Sequence, residues 1–77
     1  VKKLNEKQAQ QLVNLIGGIV VVDRNNTVRW FALSHKSELR IQEDVGGWFC
    51  VHTFSHKLPI LIESDRPWTE QIWEGKE

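Results

Sequence analysis

The sequence predicts an α+β fold: an N-terminal helix, an antiparallel β-meander of about five strands and a short C-terminal helix, all in one small domain over residues 1–77. Three observations carry that expectation. Apolar residues recur at helical spacing up to Ile16 and then give way to β-branched and aromatic runs. Turn-forming residues punctuate those runs at the spacing of hairpins. The length allows a single core, because a chain of 77 residues and 9.0 kDa buries only about 60% of its unfolded surface.

The helix comes first. Asn5 followed three residues later by Gln8 has the form of a capping box, in which each side chain satisfies the other residue's backbone N–H. Ala9, Leu12, Val13 and Ile16 then form an apolar stripe, while Lys7, Gln10, Gln11 and Asn14 face the other way. Gly17 and Gly18 stand where a helix ends in a left-handed residue.

Residues 19–22, Ile-Val-Val-Val, are apolar on both sides, so this strand is expected at the centre of its sheet. A second strand is expected over residues 27–33. Between the two, Asp23-Arg24-Asn25-Asn26 is a turn, since Asn tolerates positive φ and bonds its own backbone. Residues 38–42 alternate polar and apolar as a half-solvated strand does. Val45-Gly46-Gly47 turns the chain into a strand over 48–54, and Ser55-His56-Lys57 turns it again into one over 58–62. Pro59 cannot donate to a ladder, which puts that last strand at an edge or beside a bulge. Finally, Ser64 or Asp65 as cap, Pro67 in the first turn, and Trp68 and Ile72 one turn apart predict the C-terminal helix.

The stretch from Gly18 through the valines, Asp23 and the two asparagines to Trp30-Phe31 resembles the opening hairpin of PAS sensory domains, over 14 of the 77 residues. A PAS domain continues with several short helices around a ligand pocket, whereas this chain proceeds to another strand at Glu38, so no sensory function is carried over. A helix followed by about five strands is similar, in element order alone, to the Sm-like RNA-binding ring proteins.

Formal charge is zero but uneven. Residues 1–36 hold six Lys/Arg against two Asp/Glu, and residues 37–77 hold four against eight. That asymmetry gives no global attraction to nucleic acid yet leaves room for a local basic face. The longest apolar run, from Leu15 to Val22, is far shorter than the roughly 20 residues of a membrane span, and no apolar signal segment follows Lys2 and Lys3. One cysteine permits no internal disulfide and fits a reducing compartment, so a cytoplasmic protein is expected.

Chemistry-bearing residues are sparse. Cys50 and His52 are two apart on an expected strand and would share a face, with His35 and His56 the only other Cys or His. Four zinc ligands would consume all of them, without any ligand-like spacing, so no metal and no cofactor is expected. No phosphate loop, paired carboxylates or nucleophile elbow appears, and the chain is read as a non-enzymatic interaction or regulatory module. The four Trp and three Phe in so short a chain predict an apolar sheet face covered by a second copy, in a homodimer. The candidate partner surface is Arg24, Arg29, Phe31, Lys36, Phe49 and Lys57. The rival reading lets those cations and rings bind nucleic acid weakly.

Overall fold

A computed structural model describes residues 2–75. Its elements run β1 (Lys2–Leu4), α1 (Glu6–Ile16), β2 (Ile19–Val22), β3 (Val28–Phe31), a 3₁₀ segment (Leu33–Glu38), β4 (Leu39–Gln42), β5 (Gly47–Cys50), β6 (His56–Leu58), β7 (Ile60–Ile62), a 3₁₀ turn (Trp68–Glu70) and β8 (Ile72–Glu74). The mixed helix-and-strand class is as expected. Among the described residues the strands number eight in three sheets, and they do not form one meander.

The helix forms for the local reasons read from the sequence. Asn5 Oδ1 accepts from the Gln8 backbone N–H at 2.8 Å, and the Asn5 N–H donates to Gln8 Oε1 at 3.0 Å. Gly17, at φ +73°, ends it by donating to the Val13 carbonyl. The Asn5 side-chain cap at the N-terminus stabilises the helix by about 1 kcal/mol.

The main sheet has the order β6-β3-β2-β8, antiparallel throughout. All four β2 residues are fully buried, which places the most apolar strand at the centre. Its alternation feeds two cores. Val20 and Val22 pack with Ala9 and Val13 of α1, with Val28, and with Trp73 of β8. Ile19 and Val21 face the other way and pack with Phe31 and Cys50, flanked by Leu39 and Trp48. The molecule is thus three layers: helix, sheet, and the β4–β5 hairpin.

That third layer corrects the meander. The 3₁₀ segment after β3 lifts the chain off the sheet, so β4 and β5 pair only with each other and lie across it. The sheet face expected to need a C-terminal helix or a second copy is covered from within the chain.

The C-terminal helix is replaced by one 3₁₀ turn and β8. Paired with β2 in the register Val20↔Trp73, β8 satisfies a row of backbone groups that a helix there would leave open at the sheet's heart. The strand expected over 48–54 stops at Cys50, where a tight turn is closed by a Cys50↔Thr53 bridge. His56 and Lys57, expected in a turn, lie in β6, one of the two edge strands of the main sheet. Pro59 separates β6 from β7, and β7 pairs in parallel with β1 in a sheet of two strands. No helix among the described residues is long and apolar enough to cross a membrane.

Candidate interaction surface

The surface is built on the turn after β2. Asp23 continues the β2 alternation onto the hairpin side of the sheet, where its carboxylate is buried. One oxygen, Oδ2, accepts from Arg29 Nε at 2.5 Å, and the other, Oδ1, from the Trp48 backbone N–H at 3.1 Å. Trp48 returns the contact, its indole N–H donating to the Val22 carbonyl at 3.1 Å. Beside them the Arg24 N–H donates to the Gly46 carbonyl, and the Arg24 guanidinium reaches the Glu43 carbonyl and lies over the Trp68 ring. One turn therefore fastens both ends of the hairpin loop to the sheet. The turn keeps its own geometry through Asn25 Oδ1, which accepts from Thr27 N–H, and through Asn26 at φ +67°.

With Trp48 and Cys50 directed into the core, Phe49 must point outward, because neighbours on a strand alternate. It is 38% exposed, and the loop that follows adds Val51 at 64% and Phe54 at 94%. These three flank an open groove of about 490 Å³ whose lining also includes Arg29, His52 and Ser55. Arg29 Nη1 donates to Ser55 Oγ at 2.9 Å, which ties the loop to the sheet.

The candidate residues separate. Arg29 and Phe49 meet at the groove, and Lys57 is paired opposite Arg29 across β3 and β6. Phe31 is buried in the core beneath the hairpin and contributes to the groove only as part of its inner lining. Arg24 is committed to the hairpin loop. Lys36 is ion-paired with Glu74 at 2.6 Å, away from the groove. Arg29 likewise spends its charge on Asp23. The six do not converge on one basic platform.

Cys50 and His52 do not share a face, because the chain turns between them: the thiol is buried and the imidazole exposed. Cys50 Sγ donates to the His35 carbonyl at 3.6 Å. Burial pushes the thiol above its ordinary pKa, Glu38 adds to the rise, and Arg40 opposes it. A thiol held protonated is a poor nucleophile and a poor metal ligand. The His35 imidazole is turned to Glu38 at 3.0 Å, and that of His56 to the Trp30 ring. Among the described residues no group of three or more His, Cys, Asp or Glu could hold a metal ion.

Val51 and Phe54 are the residues that sequence reading missed. Within a continuous strand Phe54 would have pointed inward with Trp48 and Cys50, and only the turn after Cys50 turns it out. Comparisons with family models, characterised proteins and solved structures give no match to this chain.

Proposed function

We propose that this protein is a non-enzymatic interaction module that self-associates weakly through the Phe49, Val51 and Phe54 face. The observation that carries this reading is Phe54, a phenyl ring almost wholly in solvent beside a groove walled by Phe49 and Val51. Together the three expose on the order of 350 Å² of apolar surface, about the largest patch a monomeric protein tolerates without a use for it. Ring and groove lie on one face, so a two-fold axis lets each copy insert Phe54 into the other's groove, and the surface complements itself.

Area sets the strength. Two such patches bury on the order of 700 Å², short of the roughly 1,200 Å² of standard stable interfaces, so the dimer is a weak, reversible one. Nucleic-acid binding draws less support, because Phe31 is in the core and the cations of Arg29 and Lys36 are already paired.

Sedimentation velocity across a concentration series tests the proposal. The native chain should move from monomer toward dimer as concentration rises. Phe54→Ser should stay monomeric with its melting temperature unchanged, since substitutions at such exposed positions alter stability by about 0.5 kcal/mol or less. A native chain that remains monomeric at millimolar concentration, or a variant that dimerises equally well, would refute it.

A further inference from the structure

The exposed rings of Phe49 and Phe54 are bordered by cations. Arg29 and Lys57 are direct partners across β3 and β6, so their side chains leave the sheet on the same side. That side is the groove's, because Arg29 lines it and bonds Ser55 next to Phe54. On the hairpin, Arg40 stands opposite Phe49 in the β4–β5 register and shares its outward face. Both Lys57 and Arg40 are exposed. Counter-charges are few. Asp23 is buried with both oxygens taken, one by Arg29 Nε and one by the Trp48 N–H. Glu38, two residues before Arg40, is turned to His35. Arg40 Nη1 donates to the Ser37 and Leu39 carbonyls, which hold the guanidinium without neutralising it. Among the described residues no carboxylate pairs with Lys57 or Arg40, and none lines the groove. Once Asp23 is set against Arg29, the charges of Lys57 and Arg40 remain in excess on a chain whose formal charge is zero.

Those charges decide what the groove accepts best. Like charges directly opposite each other destabilise a strand pair, so an anion beside Arg29 and Lys57 is favourable. A second copy inserting Phe54 brings a ring but no anion, since residues 51–57 contain neither Asp nor Glu. The groove is open, and a small molecule lying in it would stay largely in water, whereas an extended chain can cross it and leave on either side. Nucleic acid fits less well, because a run of phosphates along the hairpin would meet Glu43 and Asp44 in its loop. We infer that this face binds an acidic, aromatic segment of a partner protein, its ring against Phe49 and Phe54 and its flanking carboxylates on Lys57 and Arg40. The inference rests on the same exposed rings as the self-association proposed above and adds charge as the source of specificity.

Four blocked peptides separate ring from charge: acetyl-Glu-Phe-Glu-amide, its Gln-Phe-Gln and Lys-Phe-Lys counterparts, and Glu-Ala-Glu. Amide-resolved NMR at micromolar chain concentration, where a weak dimer is dissociated, reads their binding. Glu-Phe-Glu should shift the Arg40, Phe49, Val51, Phe54 and Lys57 resonances saturably, bind several-fold more tightly than Gln-Phe-Gln, and weaken as salt is raised. Lys-Phe-Lys should bind weakest of the three with a ring, and Glu-Ala-Glu should not saturate. Lys57→Glu should lower the affinity for Glu-Phe-Glu about fivefold and raise that for Lys-Phe-Lys, a reversal that loss of the fold cannot produce. Equal binding of the three Phe peptides, equal binding without the ring, no saturable shift, or an unchanged preference in Lys57→Glu would overturn the inference. So would a single-stranded oligonucleotide that shifts the same resonances at lower concentration than Glu-Phe-Glu. Should Lys57→Glu fail to fold, the ranking of the four peptides on the native chain decides. The dimer is judged apart: a chain monomeric at every concentration that binds Glu-Phe-Glu keeps this inference and loses the self-association, and a chain that dimerises but ignores the peptide does the reverse.

Discussion

Replacing Asp23 with alanine will loosen the β4–β5 hairpin from the sheet and cost the protein a large fraction of its stability. The carboxylate holds two partners at once, the Arg29 guanidinium and the Trp48 backbone N–H. Removing one member of a fully buried ion pair costs about 3–5 kcal/mol. The Arg29 side chain is 34% exposed, so the stranded cation recovers part of its hydration and that contribution falls toward about 2 kcal/mol. The part-buried Trp48 N–H loses its acceptor, adding about 1 kcal/mol. The sum, about 3 kcal/mol, compares with a total of roughly 4–12 kcal/mol for a chain this size. It corresponds to a fall in melting temperature of roughly 12–24 °C. Asp23→Asn keeps an oxygen for Trp48 and should lose about two thirds as much, about 2 kcal/mol. Urea denaturation gives the magnitudes, and a double-mutant cycle with Arg29→Met should return a coupling of about 1–2 kcal/mol. A loss below about 1 kcal/mol in Asp23→Ala, or additive single mutants, would refute the assignment of Asp23 as the fastening of the hairpin.

Two further outcomes follow from other parts of the structure. Gly18 has φ +80°, and a Cβ placed there would lie 2.4 Å from Trp30 Nε1 and 2.6 Å from the Phe31 carbonyl, so Gly18→Ala should cost at least about 3 kcal/mol through strain and overpacking. Gly17→Ala, at φ +73° and ψ 179° but in open space, should cost only the backbone strain of about 1–3 kcal/mol, less than Gly18→Ala, and equal losses at the two sites in thermal melts would contradict this. The raised pKa of the Cys50 thiol gives a pH dependence of definite sign. The unfolded chain releases the thiol proton at lower pH than the folded one, so the contribution is intact below the ordinary thiol pKa of about 8.5 and is lost as pH rises beyond it. Urea midpoints measured under reducing conditions from neutral to alkaline pH should therefore fall more steeply for the native chain than for Cys50→Ala, and parallel curves would count against it.

What was legible in the sequence is what short-range chemistry decides. The Asn5–Gln8 box and Gly17 bound the helix through contacts made within a few residues, and the unbroken apolar run at 19–22 marks the strand buried on both faces. The illegible parts turn on partners distant in sequence. Trp68 and Ile72 have helical spacing, yet the open edge of β2 draws residues 72–74 into a strand. Nothing within Lys2–Leu4 announces pairing with β7, 58 positions away in register. At the candidate surface, Arg29 and Phe49 stand out in the sequence because a polar and an aromatic residue on strands invite inspection. For Phe31 the sequence leaves an outward and a buried position both open, because the hairpin that covers it lies distant in sequence, and Phe54 escapes notice because a turn after Cys50 reverses the alternation.

The pairing of β2 with β8 has a consequence for the order in which the chain can be completed. Val20 meets Trp73, so the most apolar strand has one of its two neighbours supplied by nearly the last residues described. On a ribosome adding about 5–20 residues per second, α1, β2 and β3 are made seconds before β8 exists, and for that interval a bare valine edge is available to any other nascent chain. Once β8 docks, the helix, the sheet centre and the C-terminal segment close together. The sheet is therefore completed by the last of its four strands to be made, and a chain cut short before Ile72 would carry almost every core residue yet leave its central strand open to aggregation.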